Sequence, residues 1–267
     1  MKKTGTREIS DASASSFLGC KNGCSYCWAY GLAVRRGRVK PGEWEDEKFD
    51  ETAFNKHTKG RKKKRVLYGA THDLRMEHID VHVQKIRQIL NDGNDLVITS
   101  KAFPEVMKRI VKDFSDEMGR FVFLMDIGST DTRVIRWWEK NTSSYEERAE
   151  AMKFLSEEAV PLGAKLGIIA EPLLDNHPER IIEQLGGYVS GAKIYLGTMN
   201  QGANILSITK GWTPEIKKAY DQLVQWQARQ NLRELYLKYR NDPRIAFKNP
   251  IPQRIGILDG RWDPDAL

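Results

Sequence analysis

Cys20, Cys24 and Cys27 are the only cysteines in a chain of 267 residues, and they stand together as Cys-Lys-Asn-Gly-Cys-Ser-Tyr-Cys. This spacing lets one short loop bring three thiolates to one side of a metal centre, and soft sulfur ligands select iron-sulfur clusters or zinc. The count discriminates between them. A structural zinc ion takes four protein ligands, whereas a 4Fe-4S cube held by three cysteines keeps one iron open for a substrate or cofactor. A zinc knuckle would need a further ligand from His57, His72, His78, His82 or His177, and none of these follows Cys27 at knuckle spacing.

A loop of this kind needs a scaffold that presents it to other polar groups. Apolar runs alternate with helical segments along the chain, the pattern of a parallel sheet with crossover helices. Strands are expected at 12–18, leading into the cysteine loop, and at 65–70, 96–99, 121–125, 165–170 and 192–197. Helices are expected at 25–34, 79–90, 104–114, 144–159 and 178–185. In the second of these Ile79, Val83, Ile86, Ile89 and Leu90 share a face, and hydroxyls at Thr142, Ser143 and Ser144 with carboxylates at Glu146 and Glu147 mark the start of the fourth. Six such units make an α/β fold, a partial (β/α)6 TIM-like barrel, in which residues at the carboxyl ends of the strands surround the active site. The barrel is expected over 1–212. Residues 213–267 read as a C-terminal helical extension, a long polar helix at 214–239 and a tail that cap it.

The formal net charge is +7, from 43 Lys and Arg against 36 Asp and Glu. Part of the excess is concentrated in the unbroken run Arg61, Lys62, Lys63, Lys64 and Arg65, with Arg35, Arg36, Arg38 and Lys40 close behind the cysteines. Clustered positive charge attracts polyanions and releases counterions from phosphates, so nucleic acid or a nucleotide is a natural substrate class and the run a candidate set of phosphate contacts. The same run also serves as a solvated loop. No apolar stretch is long enough to span a bilayer and the amino terminus lacks an apolar signal segment, so a cytoplasmic protein with no membrane partner is expected.

The Cys-x-x-x-Cys-x-x-Cys motif, with aromatic Tyr26 just before its last cysteine, resembles the signature of the radical S-adenosylmethionine (radical SAM) enzymes. That resemblance implies a radical SAM type of barrel and a 4Fe-4S cluster on Cys20, Cys24 and Cys27. It also implies S-adenosylmethionine chelated at the open iron, and an external one-electron reductant such as flavodoxin or ferredoxin. The cluster then cleaves S-adenosylmethionine to a 5'-deoxyadenosyl radical that abstracts hydrogen from the substrate. Within the superfamily the chain is similar, over about residues 13–197, to the spore photoproduct lyase and DNA photolyase-like branch. The segment Val97-Ile98-Thr99-Ser100-Lys101 looks like that branch's third-strand ending, where the lysine meets the S-adenosylmethionine carboxylate. The stretches 139–148 and 163–172 also look like the lyase pattern. By the same resemblance Asp126 and Ser129 meet ribose and carboxylate, Gly69, Ala70 and Thr71 hold the amino group, and Tyr26 packs beside cluster and adenine. Glu139 and Arg148 are read as a scaffold pair.

The departures bear on the reaction. The lyase branch carries a cysteine near the second strand's end that returns hydrogen to the product radical, but Ala70 and Thr71 occupy that region and there is no fourth cysteine. Trp28 also replaces the tyrosine that follows the last cysteine. Glu171, at the end of the fifth expected strand, is a candidate to bind an amine, move a proton or pair with a lysine, and His72 beside Asp73 is a second acid-base candidate or a structural turn residue. The reading preferred is an isomerase or hypermodifying enzyme acting on thymidine derivatives in DNA. The alternatives are a radical enzyme for a small molecule or peptide, and a non-catalytic metal-stabilised nucleic-acid-binding module.

Overall fold

The computed structural model describes residues 5–60, 62–199, 208–227 and 230–247. Its centre is a seven-stranded sheet, parallel throughout. The strands in sheet order are β1 (Ala12–Ala14), β4 (Arg65–Tyr68), β5 (Asp95–Ser100), β6 (Phe121–Asp126), β7 (Lys165–Ala170), β8 (Gly191–Leu196) and β9 (Ile245–Phe247). A separate antiparallel pair, β2 (Phe17–Leu18) and β3 (Lys48–Phe49), lies beside it.

Alternation along each strand sorts side chains onto two faces. Leu67, Val97, Val122, Leu124, Ile169 and Tyr195 form a small inner cluster, the barrel interior. Val66, Tyr68, Ile98, Phe123, Ile168 and Ile194 turn outward to the main core, packed by the helices Ile79–Asn91, Pro104–Asp113, Tyr145–Phe154 and Glu179–Leu185. Burial on both faces explains why these strands read as continuous apolar runs. Each fully buried Leu or Ile contributes about 1.5–3 kcal/mol.

Ser144 caps its helix as expected, accepting from the Glu147 amide while Glu147 reaches back to the Ser144 amide. The helix after the cysteines starts later than expected, at Trp28, because Cys27 takes the N-cap position and its sulfur accepts from the Tyr30 amide at 3.4 Å. No helix among the described residues is long and apolar enough to cross a membrane.

Three expectations are corrected. The first strand ends at Ala14, because the Ser15 hydroxyl turns onto the Phe17 carbonyl and Ser16 bonds Tyr68; the chain then re-enters extended structure as β2. The expected single helix at 214–239 is two, Pro214–Trp226 and Gln230–Tyr239, the first closed by Gln227, whose side-chain amide donates to Leu173 O and whose carbonyl accepts from Met199 N. The sheet also has a strand beyond the six expected: Ile245, Ala246 and Phe247 pair with Ile194, Tyr195 and Leu196. The expected tail beyond 247 lies outside the described residues.

Candidate active site

The cysteine loop enters from β2 through Gly19, whose φ of +101° and closeness to Trp44 O, 2.6 Å from any Cβ placed there, admit no side chain. Cys20 N donates to the same Trp44 carbonyl, at 2.9 Å. Further along, Cys24 forms an isolated antiparallel bridge with Glu139, and Ser25 N donates to Trp138 O. The three thiols line one side of a cleft of about 130 Å³ that opens to solvent. Across it stand residues from the carboxyl ends of β4, β5, β6 and β7: Gly69 to Asp73, Thr99 to Lys101, Asp126 and Glu171.

Burial pushes all three thiols up, Cys20 to about 12, so without a cation they are held protonated. Backbone amides of Asn22 and Asp73 approach the Cys20 sulfur, and amides of Tyr30 and Ala29 with the Trp44 side chain approach that of Cys27. Such donors stabilise thiolate charge once a metal is bound. Among the described residues no three His, Cys, Asp or Glu side chains gather closely enough to hold a single ion.

Beneath the loop lies a buried charge network centred on Lys101. Its Nζ donates to Tyr26 Oη, Asp126 Oδ2 and Glu139 Oε1, each at 2.8 Å, which uses all three ammonium protons. Tyr26 in turn donates to Glu139 Oε1. The other Glu139 oxygen accepts from Arg148, which is fully buried and also donates to the Asp126 carbonyl at 2.9 Å. Two cations and two carboxylates therefore balance. Burial opposes the charge on Lys101, but Asp126 and Glu139 outweigh it and hold the ammonium protonated. Burial likewise opposes Glu139, yet Arg148 and Lys101 bring its carboxyl down to about 2. Asp126 goes the other way: burial outweighs Lys101 and raises it to about 6. Its second oxygen, Oδ1, is buried with no hydrogen-bond partner.

On the β4 side, Gly69 has φ +95°, and a Cβ would stand 2.2 Å from Thr99 O, so only glycine lets this loop close against β5. Asp73 ties the parts together, accepting from Asn22 of the cysteine loop at 2.7 Å, from Leu74 N at 2.8 Å and from Lys101 N at 3.1 Å. Proton counting fixes two neighbouring groups. Ser15 Oγ gives its one proton to Phe17 O at 3.0 Å, so Thr71 Oγ1 and His72 Nδ1, each 3.2 Å away, donate to it. Thr71 then has only lone pairs left to offer a ligand. His72 keeps its lone pair on Nε2, buried without a partner, and burial and then His78 lower the ring to about 3. His72 is neutral, and its Nε2 lone pair offers a hydrogen-bond acceptor rather than a base. Glu171 lies on the far wall, in space that Gly197 leaves open: a Cβ there would come within 2.6 Å of Glu171 Cγ.

The structure thus brings together Cys20, Cys24, Cys27, Tyr26, Gly69, Ala70, Thr71, His72, Lys101, Asp126 and Glu171. Ser129 is placed elsewhere. Fully buried, it bonds Asp175 and accepts from Asp131 N at 3.0 Å, shaping the loop after β6 rather than lining the cleft. The basic run is also away from the cleft, at the amino end of β4, with the strand between it and Gly69. Lys63 pairs with Asp95 at 2.7 Å, Lys62 is exposed, Arg65 opens β4, and Arg61 lies outside the described residues. Sequence reasoning placed Glu139 and Arg148 in a scaffold pair; they do pair, and the pair extends to Lys101 and Tyr26 in the cleft wall. Asn22 and Trp44 were missed, their only signal being closeness to the motif, and Asp73 was noted only as the neighbour of His72.

The donor set fits a cluster held by three thiolates, with S-adenosylmethionine beside it. The thiols share one cleft, two sulfurs have amide donors nearby, and the orphaned Asp126 Oδ1 calls for hydroxyl donors. Compared with solved structures, the chain is similar to a cysteine-to-serine variant of spore photoproduct lyase, at 15% identity and a TM-score of 0.52, over 92% of this chain and 79% of that one. The chain has the spore photoproduct lyase fold. A second spore photoproduct lyase structure, complexed with dinucleoside spore photoproduct, matches over 74% of this chain and 59% of that one at 16% identity, with a TM-score of 0.46. No family model and no curated protein matches the chain. The lyase fold accounts for the cleft lying at the carboxyl ends of the strands.

Proposed function

We propose that the chain is a radical SAM enzyme acting on a nucleic-acid base or nucleotide-derived substrate, with isomerisation or hypermodification of thymidine derivatives in DNA preferred. The observation that carries the reading is the convergence of the chain's only three cysteines on one cleft with Lys101 and an unsatisfied Asp126. When bound, a 4Fe-4S cluster and S-adenosylmethionine supply one-electron cleavage of the sulfonium to a 5'-deoxyadenosyl radical. Cys20, Cys24 and Cys27 hold the cluster. Asp126 Oδ1 accepts ribose hydroxyl protons, and the lone pairs of Thr71 accept from the ammonium. Lys101 lends its positive charge to the carboxylate, held in place by Tyr26 and Glu139.

Around the substrate, His72 Nε2 accepts a hydrogen bond, and Glu171 meets an amino group or moves a proton. With Ala70 and Thr71 where the lyase branch has a cysteine, the chain offers no thiol beyond the three ligands to return hydrogen. The substrate radical then either recovers hydrogen from 5'-deoxyadenosine, as in an isomerase, or loses an electron or fragment, in which case the cofactor is consumed.

The test is anaerobic reconstitution with iron and sulfide, reduction, and incubation with deuterated nucleosides and DNA. Label appearing in 5'-deoxyadenosine identifies the substrate and the carbon attacked. Retention of zinc with no 5'-deoxyadenosine formed instead supports a metal-stabilised binding module, and turnover that ignores nucleic acid supports a small-molecule or peptide substrate.

A further inference from the structure

A second cavity, of about 380 Å³, runs along β1, the edge strand of the sheet. Ala70 and Thr71, which line the cysteine cleft, line this groove as well. Toward the amino end of β4 its wall carries Lys56, Lys59 and Lys64, with hydroxyls of Ser13 and Thr58 between. No Asp or Glu lines it, and no described residue forms an ion pair with these three ammonium groups.

The segment that carries the cations is anchored by buried polar residues rather than left as a free solvated run. Lys85, with no exposed surface, donates to the carbonyls of Phe54 at 2.6 Å and Lys56 at 2.8 Å and so closes the end of the helix Glu51–Asn55. Asp92 accepts from Thr58 N at 2.6 Å and Thr58 Oγ1 at 3.0 Å. Asn94, 1% exposed, accepts from Lys64 N and donates to Thr58 Oγ1, both at 3.0 Å. These bonds hold the backbone that presents uncompensated charge, which lowers the ordering cost of binding an anion.

We propose that this groove binds the phosphodiester backbone of a single-stranded or locally opened stretch of nucleic acid and leads the reacting nucleotide past Thr71 into the cleft. The inference rests on the nucleic-acid reading above and adds the strand's path. A single strand is required because the three cysteines lie within the cleft, Cys20 buried and Cys24 and Cys27 partly so, and a base stacked in a duplex cannot enter it.

The test measures binding of a labelled single-stranded deoxyoligonucleotide of about 12 nucleotides to the cluster-loaded protein by anisotropy over a series of KCl concentrations. The triple variant Lys56→Gln, Lys59→Gln, Lys64→Gln is compared with a control of equal charge loss on an outer helix, Lys108→Gln, Arg109→Gln, Lys112→Gln. Each phosphate contact on a single strand contributes about 0.7 to the slope of log K against log salt. The groove variant is expected to flatten that slope by about 2 and to bind at least about tenfold more weakly at low salt, while the control changes little. Formation of 5'-deoxyadenosine without oligonucleotide should match the unmodified protein.

The proposal is overturned if the groove variant keeps the original slope, if the control loses as much, or if a duplex binds as tightly as the single strand through the same lysines. If the protein forms no 5'-deoxyadenosine but the slope change is present, the groove stands and the radical reading falls. The reverse pattern sinks the groove alone.

Discussion

Cys24 and Glu139 form an antiparallel bridge, so the backbone carrying one thiol is hydrogen bonded to the backbone carrying the carboxylate that fixes Lys101. The two halves of the site, sulfur and charge, are thereby one mechanical unit. Displacing either moves the other.

Replacing Glu139 by Gln leaves Lys101 and Arg148 buried against a single remaining carboxylate, Asp126. The loss of one partner from a buried ionic network costs about 3–5 kcal/mol. Glu139→Gln is therefore expected to shift the urea midpoint strongly downward, and Glu139→Gln with Arg148→Met to recover part of the loss. An unchanged midpoint in the single variant would show that the network does not stabilise the fold.

Metal loading is expected to release protons. The buried thiols start protonated, with Cys20 raised to about 12, and must lose their protons to bind metal. Adding ferrous iron and sulfide to metal-free protein in weak buffer at pH 7 should acidify the solution by one proton per cysteine beyond the protons that the incorporated sulfide itself releases, and a triple Cys→Ser variant should show neither. Removal of the metal by a chelator should take the protons up again.

Acid should weaken S-adenosylmethionine binding through Asp126. Its carboxyl lies near 6, above the ordinary carboxylate range, so it is ionised at pH 7 and protonated at pH 5. If the ionised form accepts the ribose hydroxyls, affinity falls about tenfold between those values. Asp126→Asn should flatten the profile. Equilibrium dialysis of cluster-loaded protein across this range decides it, and an equally steep profile in the variant would remove Asp126 from the role.

Gly197→Ala tests Glu171 without touching it. The new Cβ would need the space of Glu171 Cγ, 2.6 Å away, so the carboxylate must swing aside. The expected cost to stability is about 1–3 kcal/mol. Substrate turnover should drop while the cluster's absorption and uncoupled 5'-deoxyadenosine formation persist. Full turnover in this variant would argue that Glu171 has no part in the reaction.

What could be read from the residues follows the range of the interactions involved. The strand at 165–170 coincides with β7, and those at 121–125 and 96–99 fall inside β6 and β5, because burial on both faces writes an unbroken apolar run. Lys101 and Asp126, just past such runs, were legible through the family resemblance of those strand endings. By contrast β9 is three residues long and its pairing with Ile194 joins positions far apart in the chain, which no local pattern encodes. Arg148 and Glu139 look like any loop-helix ion pair until Lys101 arrives from β5 to share the carboxylate. The place of the basic run relative to the cleft was illegible for the converse reason: a few residues separate Lys64 from Gly69 in the chain, but those residues are an extended strand that carries the two to opposite ends of β4.

The position of β9 has a consequence for biosynthesis. On a ribosome, β8 emerges with one flank already occupied by β7, and its other flank must wait for some fifty more residues before Ile245–Phe247 can dock. During that interval the nascent chain displays a bare row of amides and carbonyls, the kind of edge that recruits foreign strands. Completion of the wall is thus a late event, and a stalled or clipped chain ending before it would be prone to self-association even with its cysteine loop fully made.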